Sequence, residues 1–367
     1  MREDFVVSIS RWGWDAYFEA VWNEGEWGNV LPGRVVGQFR GCWRVAGDFG
    51  ECLAEASGKL RVAAEEGADW PAAGDWVATE FAEASGSSLI REVLPRRSRF
   101  VRKAAGKKMK EQVIAANVDT VLVVCALDGD FHPRRVERYL AQCWESGAKP
   151  VVVLNKADAC EDAGEKAAEM EEVALGARVC VISAKTGRGM EEVEAFFERG
   201  KTVAMVGSSG VGKSTLANRL LGEARQDVQE VRESDSRGRH TTTARELLLL
   251  PGGALLMDTP GLRELQLWDA EEGLTQAFAD IEALAERCFF RDCRHEGEPG
   301  CAVQAAVEEG TLGAGRLENW RKLLREQEFL RRKIDSGARQ EHKEQWKTVH
   351  RAARQKYRQR EKDGGKR

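Results

Sequence analysis

The apolar residues of this chain fall into four successive patterns, and each predicts a different kind of structure. In residues 1–30, Trp14, Phe18 and Trp22 recur at i, i+4 and i+8, with Trp12 and Trp27 nearby. That spacing puts three rings on one stripe of a short amphipathic helix. Two readings are open: a helix docked on its own domain, or a helix that meets a partner. From about residue 33 to 100 the apolar runs are short and punctuated by glycine: Arg34–Phe39, Cys42–Val45, Leu53–Ala56, Lys59–Ala63, Trp76–Thr79 and Leu89–Val93. Five or so strands in about 65 residues predict a small closed β-barrel, most simply of the OB type.

From Asn117 the pattern becomes alternating. Thr120–Leu127, Pro150–Leu154, Arg178–Ile182 and Val203–Val206 read as buried strands. Helices are expected over Pro133–Ser146, where proline suits the first turn, and over Glu161–Leu175 and Gly189–Phe197. Strand and helix in alternation predict a mostly parallel sheet covered on both faces. Glu223–Thr243 is polar, lacks periodicity and reads as a mobile loop. Arg245–Leu250 and Ala254–Met257 read as a hairpin around Pro251-Gly252-Gly253. Beyond residue 262 the pattern turns helical, with charged helices over Ala302–Glu309, Gly315–Ile334 and Arg339–Arg360.

The strongest chemistry lies where one of these strands ends. Gly207-Ser208-Ser209-Gly210-Val211-Gly212-Lys213-Ser214-Thr215 follows Val203–Val206 and leads into Leu216–Leu220. Strand, glycine-rich loop and helix make G-x-x-x-x-G-K-[ST] a phosphate site. The backbone N–H groups point inward and the helix N-terminus adds positive charge. Lys213 reaches the β/γ-phosphates in such a site, and the Ser214 hydroxyl ligates Mg²⁺.

Asn155-Lys156-Ala157-Asp158 follows the next strand edge, where open α/β sheets place ligands. A carboxylate at Asp158 accepts from guanine N1–H and N2–H₂ together. Adenine offers neither, so it leaves a buried acceptor unpaired. Asn155 supports the O6/N7 side and the Lys156 stem lies along the base. Ser183-Ala184-Lys185 follows another strand, and a backbone N–H there reaches O6. Asp258-Thr259-Pro260-Gly261 supplies a carboxylate for Mg²⁺ through water and a Gly261 N–H for the γ-phosphate. Of the threonines after His240, Thr242 is the expected Mg²⁺ ligand, with Thr241 next. Leu262 follows Gly261 and cannot orient water, so another group must. His240 is the nearest candidate in sequence; a plain surface histidine is the alternative.

In usual GTPases the phosphate loop comes first and N-K-x-D and S-A-K last. Here N-K-x-D and S-A-K come first, ahead of the phosphate loop, as in a circularly permuted GTPase. The segment after Gly261 then leads into the C-terminal region, so loss of the γ-phosphate can move that region directly.

Cys288-x4-Cys293-x-His295-x5-Cys301 gathers three thiols and one imidazole within fourteen residues. Cys₃His is a closed tetrahedral set for structural Zn²⁺, with free thiols as the alternative. The other six of nine cysteines show no such spacing. That favours a reducing, cytoplasmic setting over a disulfide framework.

Composition adds limits. With 42% hydrophobic and 32% charged residues, the 367-residue chain is ordinary for soluble domains. It shows no apolar run of membrane length and no leader-like start, so no membrane contact is expected. A net charge of −4 argues against wholesale nucleic-acid binding. Residues 316–367, however, hold 18 Lys/Arg against 8 Asp/Glu, a net of +10 that leaves −14 on the rest. A basic tail on an acidic body suggests a local anionic partner. Eight cations between Arg96 and Lys110 read either as a solvated linker or as a track along RNA phosphates.

The expected architecture is multi-domain. A helical extension (1–30) precedes an OB-type β-barrel (31–100) and a basic linker (101–116). A circularly permuted α/β P-loop GTPase domain (117–268) and a C-terminal α-helical zinc-binding domain with the basic tail (269–367) follow.

With barrel, permuted motifs and cysteine set in that order, the chain resembles the ribosome small subunit-dependent GTPase A family of bacteria. The resemblance rests on Pro71–Val77, Arg97–Lys103, Asn117-Val118-Asp119, Gly238–Thr243 and the zinc set, and covers nearly the whole chain. It implies a late assembly factor of the 30S subunit, binding GTP and GDP. Its barrel and zinc domains contact 16S rRNA, its hydrolysis is stimulated by the subunit, and the residue matching His240 is catalytic. A monomer is expected. The alternative is an RNA-binding module that uses GTP as a static brace without turnover. The long Trp-rich N-terminus and basic C-terminal helix depart from the family.

Overall fold

The computed structural model describes residues 9–64, 70–82, 87–103, 111–222, 245–258 and 271–331. Helix α1 (Ala16–Glu24) begins at Asp15, whose carboxylate accepts from the N–H groups of Tyr17 and Phe18. Phe18 is fully buried, and Trp14 meets Trp76 edge-on with ring centroids 4.8 Å apart. Arg97 lies 4.7 Å over Phe18 and pairs with Asp15 at 2.7 Å. The aromatic stripe is therefore a docked face, the first of the two readings of this helix.

Strands β1 (Leu31–Gln38), β2 (Trp43–Gly47), β3 (Gly50–Ala56), β4 (Trp76–Ala82) and β5 (Ser87–Val93) follow. They close in the order β1-β2-β3-β5-β4 with β4 returning to β1, and β3–β5 is the parallel pair. Val35, Val45, Val77 and Ile90 fill the barrel. Lys59–Ala63, expected as a strand, belongs instead to helix α2 (Gly58–Ala63). Ser57 caps it, its hydroxyl accepting from Leu60 N–H at 3.2 Å. Leu60 turns into the barrel while Val62 stays exposed, so the apparent alternation was one turn of helix.

Of residues 101–116, expected as a linker, 101–103 and 111–116 lie in two antiparallel paired strands, β6 (Arg99–Lys103) and β7 (Glu111–Ala116). Phe100, Val113 and Ile114 are buried there, which an exposed linker does not require. Two cations of the basic run point inward. Arg96 forks onto both Asp75 oxygens at 2.7 Å, and Arg97 braces α1.

The α/β unit contains β8 (Thr120–Ala126), α3 (Pro133–Ser146), β9 (Lys149–Asn155), α4 (Ala163–Val173), β10 (Arg178–Val181), α5 (Met190–Glu194), β11 (Thr202–Val206), α6 (Lys213–Leu221), β12 (Arg245–Leu249) and β13 (Leu255–Asp258). The sheet runs β10-β9-β8-β11-β13-β12. Only β12, the edge member of this set, is antiparallel to its neighbour β13. Val121 and Val123 of β8 enter the core shared with α3 and α4, whereas Leu122 and Val124 pack with α5 and α6. Both faces are covered, as the continuous apolar runs require.

The sheet does not stop at β12. Gly37 and Gln38 of β1 pair antiparallel with Glu246 and Arg245, joining barrel and α/β sheet edge to edge. A second junction is Arg34, fully buried. Its guanidinium donates to the carbonyls of Trp12 (2.6 Å), Gly74 (3.1 Å) and Asn117 (3.2 Å) and to the Thr202 hydroxyl (2.9 Å).

The C-terminal part comprises α7 (Glu271–Ala277), α8 (Ala279–Ala285), α9 (Ala302–Glu308) and a helix α10 over residues 314–331. Arg316, on α10, is buried between Glu137 of α3 and Asp280 of α8, with contacts of 2.8 and 2.7 Å.

Candidate nucleotide site and metal cluster

Four parallel strands, β10, β9, β8 and β11, lie side by side, and the loops after β9, β10 and β11 carry the expected motifs. After β11 the chain turns through Gly207, with φ of 141°, Gly210 at 83° and Gly212 at 98°. A Cβ on Gly207 would lie 2.2 Å from the Val124 carbonyl, so only glycine lets this loop cross β8. Val211 is buried, which anchors the loop, while Ser209, Gly210, Ser214 and Thr215 stay exposed. Lys213 Nζ is folded over the loop, donating to the carbonyls of Gly207 (2.6 Å) and Ser208. Lys213 and Ser214 open α6, where backbone N–H groups are unpaired by the helix itself.

At the end of β9, Asn155 is buried and bridges two loops. Its Nδ2 donates to the Val211 carbonyl at 2.8 Å, and its Oδ1 accepts from Ala184 N–H at 2.9 Å. Its side chain thus ties the phosphate loop to the Ser183-Ala184-Lys185 loop, a role beyond the direct O6/N7 support expected from sequence. Lys156 takes a left-handed φ of 67° and pairs with Asp128 at 2.6 Å. Asp158 is exposed and accepts from the Ser183 hydroxyl at 2.6 Å. That bond holds its carboxyl below the usual carboxylate range, ionised and ready to accept. Ser183 also receives Thr186 N–H at 3.1 Å, which shapes the loop that displays Lys185.

The switch-side residues are only partly in view. Asp258 closes β13 in register with Glu246, and its side chain lies outside the described part. His240, Thr241, Thr242 and Gly261 also lie outside the described residues.

Sequence reasoning missed three groups around the loops. Asp128, just beyond β8, fixes Lys156; its position after a strand was the available signal. Arg135 of α3 donates to the Ser208 hydroxyl and to Asp130 at 2.7 Å. Arg219 of α6 reaches the carbonyls of Ala184, Lys185 and Thr186. Neither arginine belongs to a motif, and only the fold brings them there.

The four C-terminal residues do meet. The ligand atoms of Cys288, Cys293, His295 and Cys301 lie within 4.8 Å of one another. Zn–S near 2.3 Å and Zn–N near 2.0 Å place tetrahedral ligands roughly 3.5–3.8 Å apart. Cys288 Sγ and Cys301 Sγ are 3.9 Å apart, and His295 Nδ1 is 3.6 and 3.4 Å from them. The spacing and the soft donor set fit Zn²⁺. Burial lowers the His295 pKa, favouring the neutral imidazole a metal needs. His295 is further held by Gln304 and Arg321, both donating to its carbonyl, and by Trp320 at 5.5 Å.

Fold and loops together define a circularly permuted P-loop GTPase with an N-terminal barrel and a C-terminal cysteine–histidine cluster. The sequence profile of the RsgA GTPase family matches residues 93–268. A protein of Opitutus terrae named "Small ribosomal subunit biogenesis GTPase RsgA" is 44% identical, covering 95% of this chain and 97% of its own length. One of the same name from Streptomyces coelicolor is 44% identical over 93% of this chain and 92% of its own. The crystal structure of YjeQ from Thermotoga maritima superposes with a TM-score of 0.62 at 29% identity, over 81% of this chain and 98% of that one. The chain belongs to the RsgA GTPase family.

Proposed function

We propose that this GTPase acts in late maturation of the small (30S) ribosomal subunit, binds 16S rRNA, and hydrolyses GTP faster when the subunit is present. The observation that carries this is near end-to-end similarity to relatives named for small-subunit biogenesis, together with a guanine-type loop set at one sheet edge. The setting is cytoplasmic and the working unit a monomer.

In this reading Asp158 recognises guanine, and the N–H groups from Gly207 to Ser214 with Lys213 hold the phosphates. Ser214, Thr242 and Asp258 hold Mg²⁺, and the exposure of Ser214 at the first turn of α6 suits that role. Bound there, the ion would supply charge neutralisation at the phosphates. His240 orients the attacking water. Cys288, Cys293, His295 and Cys301 hold one structural Zn²⁺, with no position left for chemistry. The barrel and the zinc domain face the rRNA.

The test is GTP turnover with and without purified 30S particles, comparing wild type with His240→Ala. Stimulation in wild type that collapses in the variant, with nucleotide binding intact, is the expected result. Stimulation that survives moves the water-orienting role away from His240. Tight GTP binding with no stimulation in folded, zinc-loaded protein favours the static-brace module instead.

A further inference from the structure

Peptide units 184–186 turn their carbonyls onto one side chain. Arg219 Nη1 donates to Ala184 O at 3.2 Å and Lys185 O at 3.4 Å, and its Nη2 to Thr186 O at 3.4 Å. Gly187 makes room for it. Its φ is 94°, and a Cβ there would sit 2.2 Å from Arg219 Nη2. On the other side, Ala184 N–H is engaged by Asn155 and Thr186 N–H by Ser183. Gly187 N–H bonds the Ser183 carbonyl at 2.8 Å. Among the described residues, Lys185 N–H makes no hydrogen bond. It belongs to the same peptide unit as the Ala184 carbonyl, and in a trans peptide N–H and C=O point in opposite directions. A guanidinium holding that carbonyl therefore aims the remaining donor of the loop the other way.

We infer that Arg219 is a positioning residue for base recognition, setting Lys185 N–H as the donor to guanine O6. This rests on the reading of Asp158 and its loop as the base site. The arginine sits on α6, the helix whose first residues are Lys213 and Ser214. One short helix thus fixes phosphate contacts at one end and the O6 donor near the other. A loose donor leaves O6 unpaired, and sites built for a hydrogen bond discriminate through it.

The experiment measures release of fluorescent GDP, and of the diphosphate of 2-aminopurine riboside, from full-length protein. The second nucleotide keeps the 2-amino group but lacks O6 and the N1 proton, so Asp158 meets only its N2 donors in both wild type and variant. In Arg219→Ala, GDP release speeds about tenfold, about 1.4 kcal/mol, while release of the analogue changes less than about twofold. Arg219→Lys, which keeps charge but not the fork, falls between. For GTP turnover the loss falls on KM more than on kcat. A general loosening of the fold speeds both nucleotides equally, and that result overturns the proposal. So does unchanged GDP release. Asp158→Ala separates the two readings. If it leaves GDP affinity intact, the base-site assignment fails and the Arg219 role with it. If it weakens GDP while Arg219→Ala does nothing, only the Arg219 role fails.

Discussion

Single side chains carry much of the long-range order in this chain, and Arg34 is the clearest case. It is fully buried, touches no carboxylate among the described residues, and spends its donors on three carbonyls and one hydroxyl from separate segments. Burial lowers its pKa to about 10, partly offset by Asp119. It remains charged at neutral pH, so the protein must keep that charge solvated by its own oxygens. Replacement by methionine fills some volume but strands those acceptors, each costing about 1–3 kcal/mol when left unpaired and dry. Arg34→Met is expected to lower unfolding free energy by about 3 kcal/mol or more, read from the urea midpoint at constant slope. A loss under about 1 kcal/mol would show that water replaces the guanidinium. Asn155 works by the same logic at the site, each half of its amide closing one loop on another. The sequence marks Asn155 because a motif surrounds it. Nothing local marks Arg34, whose partners are up to 168 positions away.

Among the elements, α3 has the most to hold. Its first turn touches the phosphate loop through Arg135 and Ser208. One residue pair further, Glu137 is buried against Arg134, Arg316 and Asn319, and Arg138 forks onto Glu326 at 2.8 and 2.7 Å. The helix therefore joins the nucleotide loop to α10. Burial decides which pair matters. Glu137→Ala leaves Arg316 inside with Asp280 as its remaining carboxylate, and removing one partner of a buried pair costs about 3–5 kcal/mol. Arg138→Ala breaks a half-exposed pair worth about 1 kcal/mol at most. Urea unfolding of both variants should show that ordering, and equal losses would contradict it. The course of α3 was readable from sequence, because Pro133 starts it and its apolar period is regular. The strands and the glycine loop were readable for the same reason: continuous apolar runs and a fixed motif are local signals. Helix α2 was not, since five residues alternate equally well as strand or as one turn. The pairing of β6 with β7 was hidden by the charge around it, although Phe100, Val113 and Ile114 announce a buried face. Arg135 and Arg219 were beyond reach, because each meets its loop only across the fold.

For the molecule as a whole, the informative feature is that barrel and nucleotide sheet are one continuous set of strands. Gly37 of β1, Glu246 of β12 and Asp258 of β13 form a single row across three strands. The barrel thus abuts the strand that precedes the D-x-x-G motif by one neighbour. Strand β12 begins at Arg245, directly after the segment holding His240 and Thr242. The seam carries polar clamps as well as backbone pairing. Arg44 meets Glu246 at 2.9 Å and Gln38 accepts from Arg245 at 3.0 Å, and burial lowers the Arg245 pKa to about 10. Permutation sends the D-x-x-G side into the C-terminal helices, so the two flanks of the triphosphate site lead to two different domains. Should the barrel bind the ribosomal surface, as proposed above, that contact can act on β12, and a two-state element biased from both sides is what coupling requires. Arg44 also meets Glu51 at 3.8 Å, so Arg44→Glu sets a new carboxylate against both Glu51 and Glu246 at the seam. It is expected to reduce stimulation by 30S particles several-fold while turnover of the protein alone stays within about twofold. Adding Glu246→Arg restores the opposite-charge pair in reversed order and should recover stimulation, a non-additivity that independent sites do not show. If the single variant is stimulated like wild type, the seam is only structural. If the double variant fails to recover despite full 30S binding, the identity of the residues matters and charge complementarity is not the link.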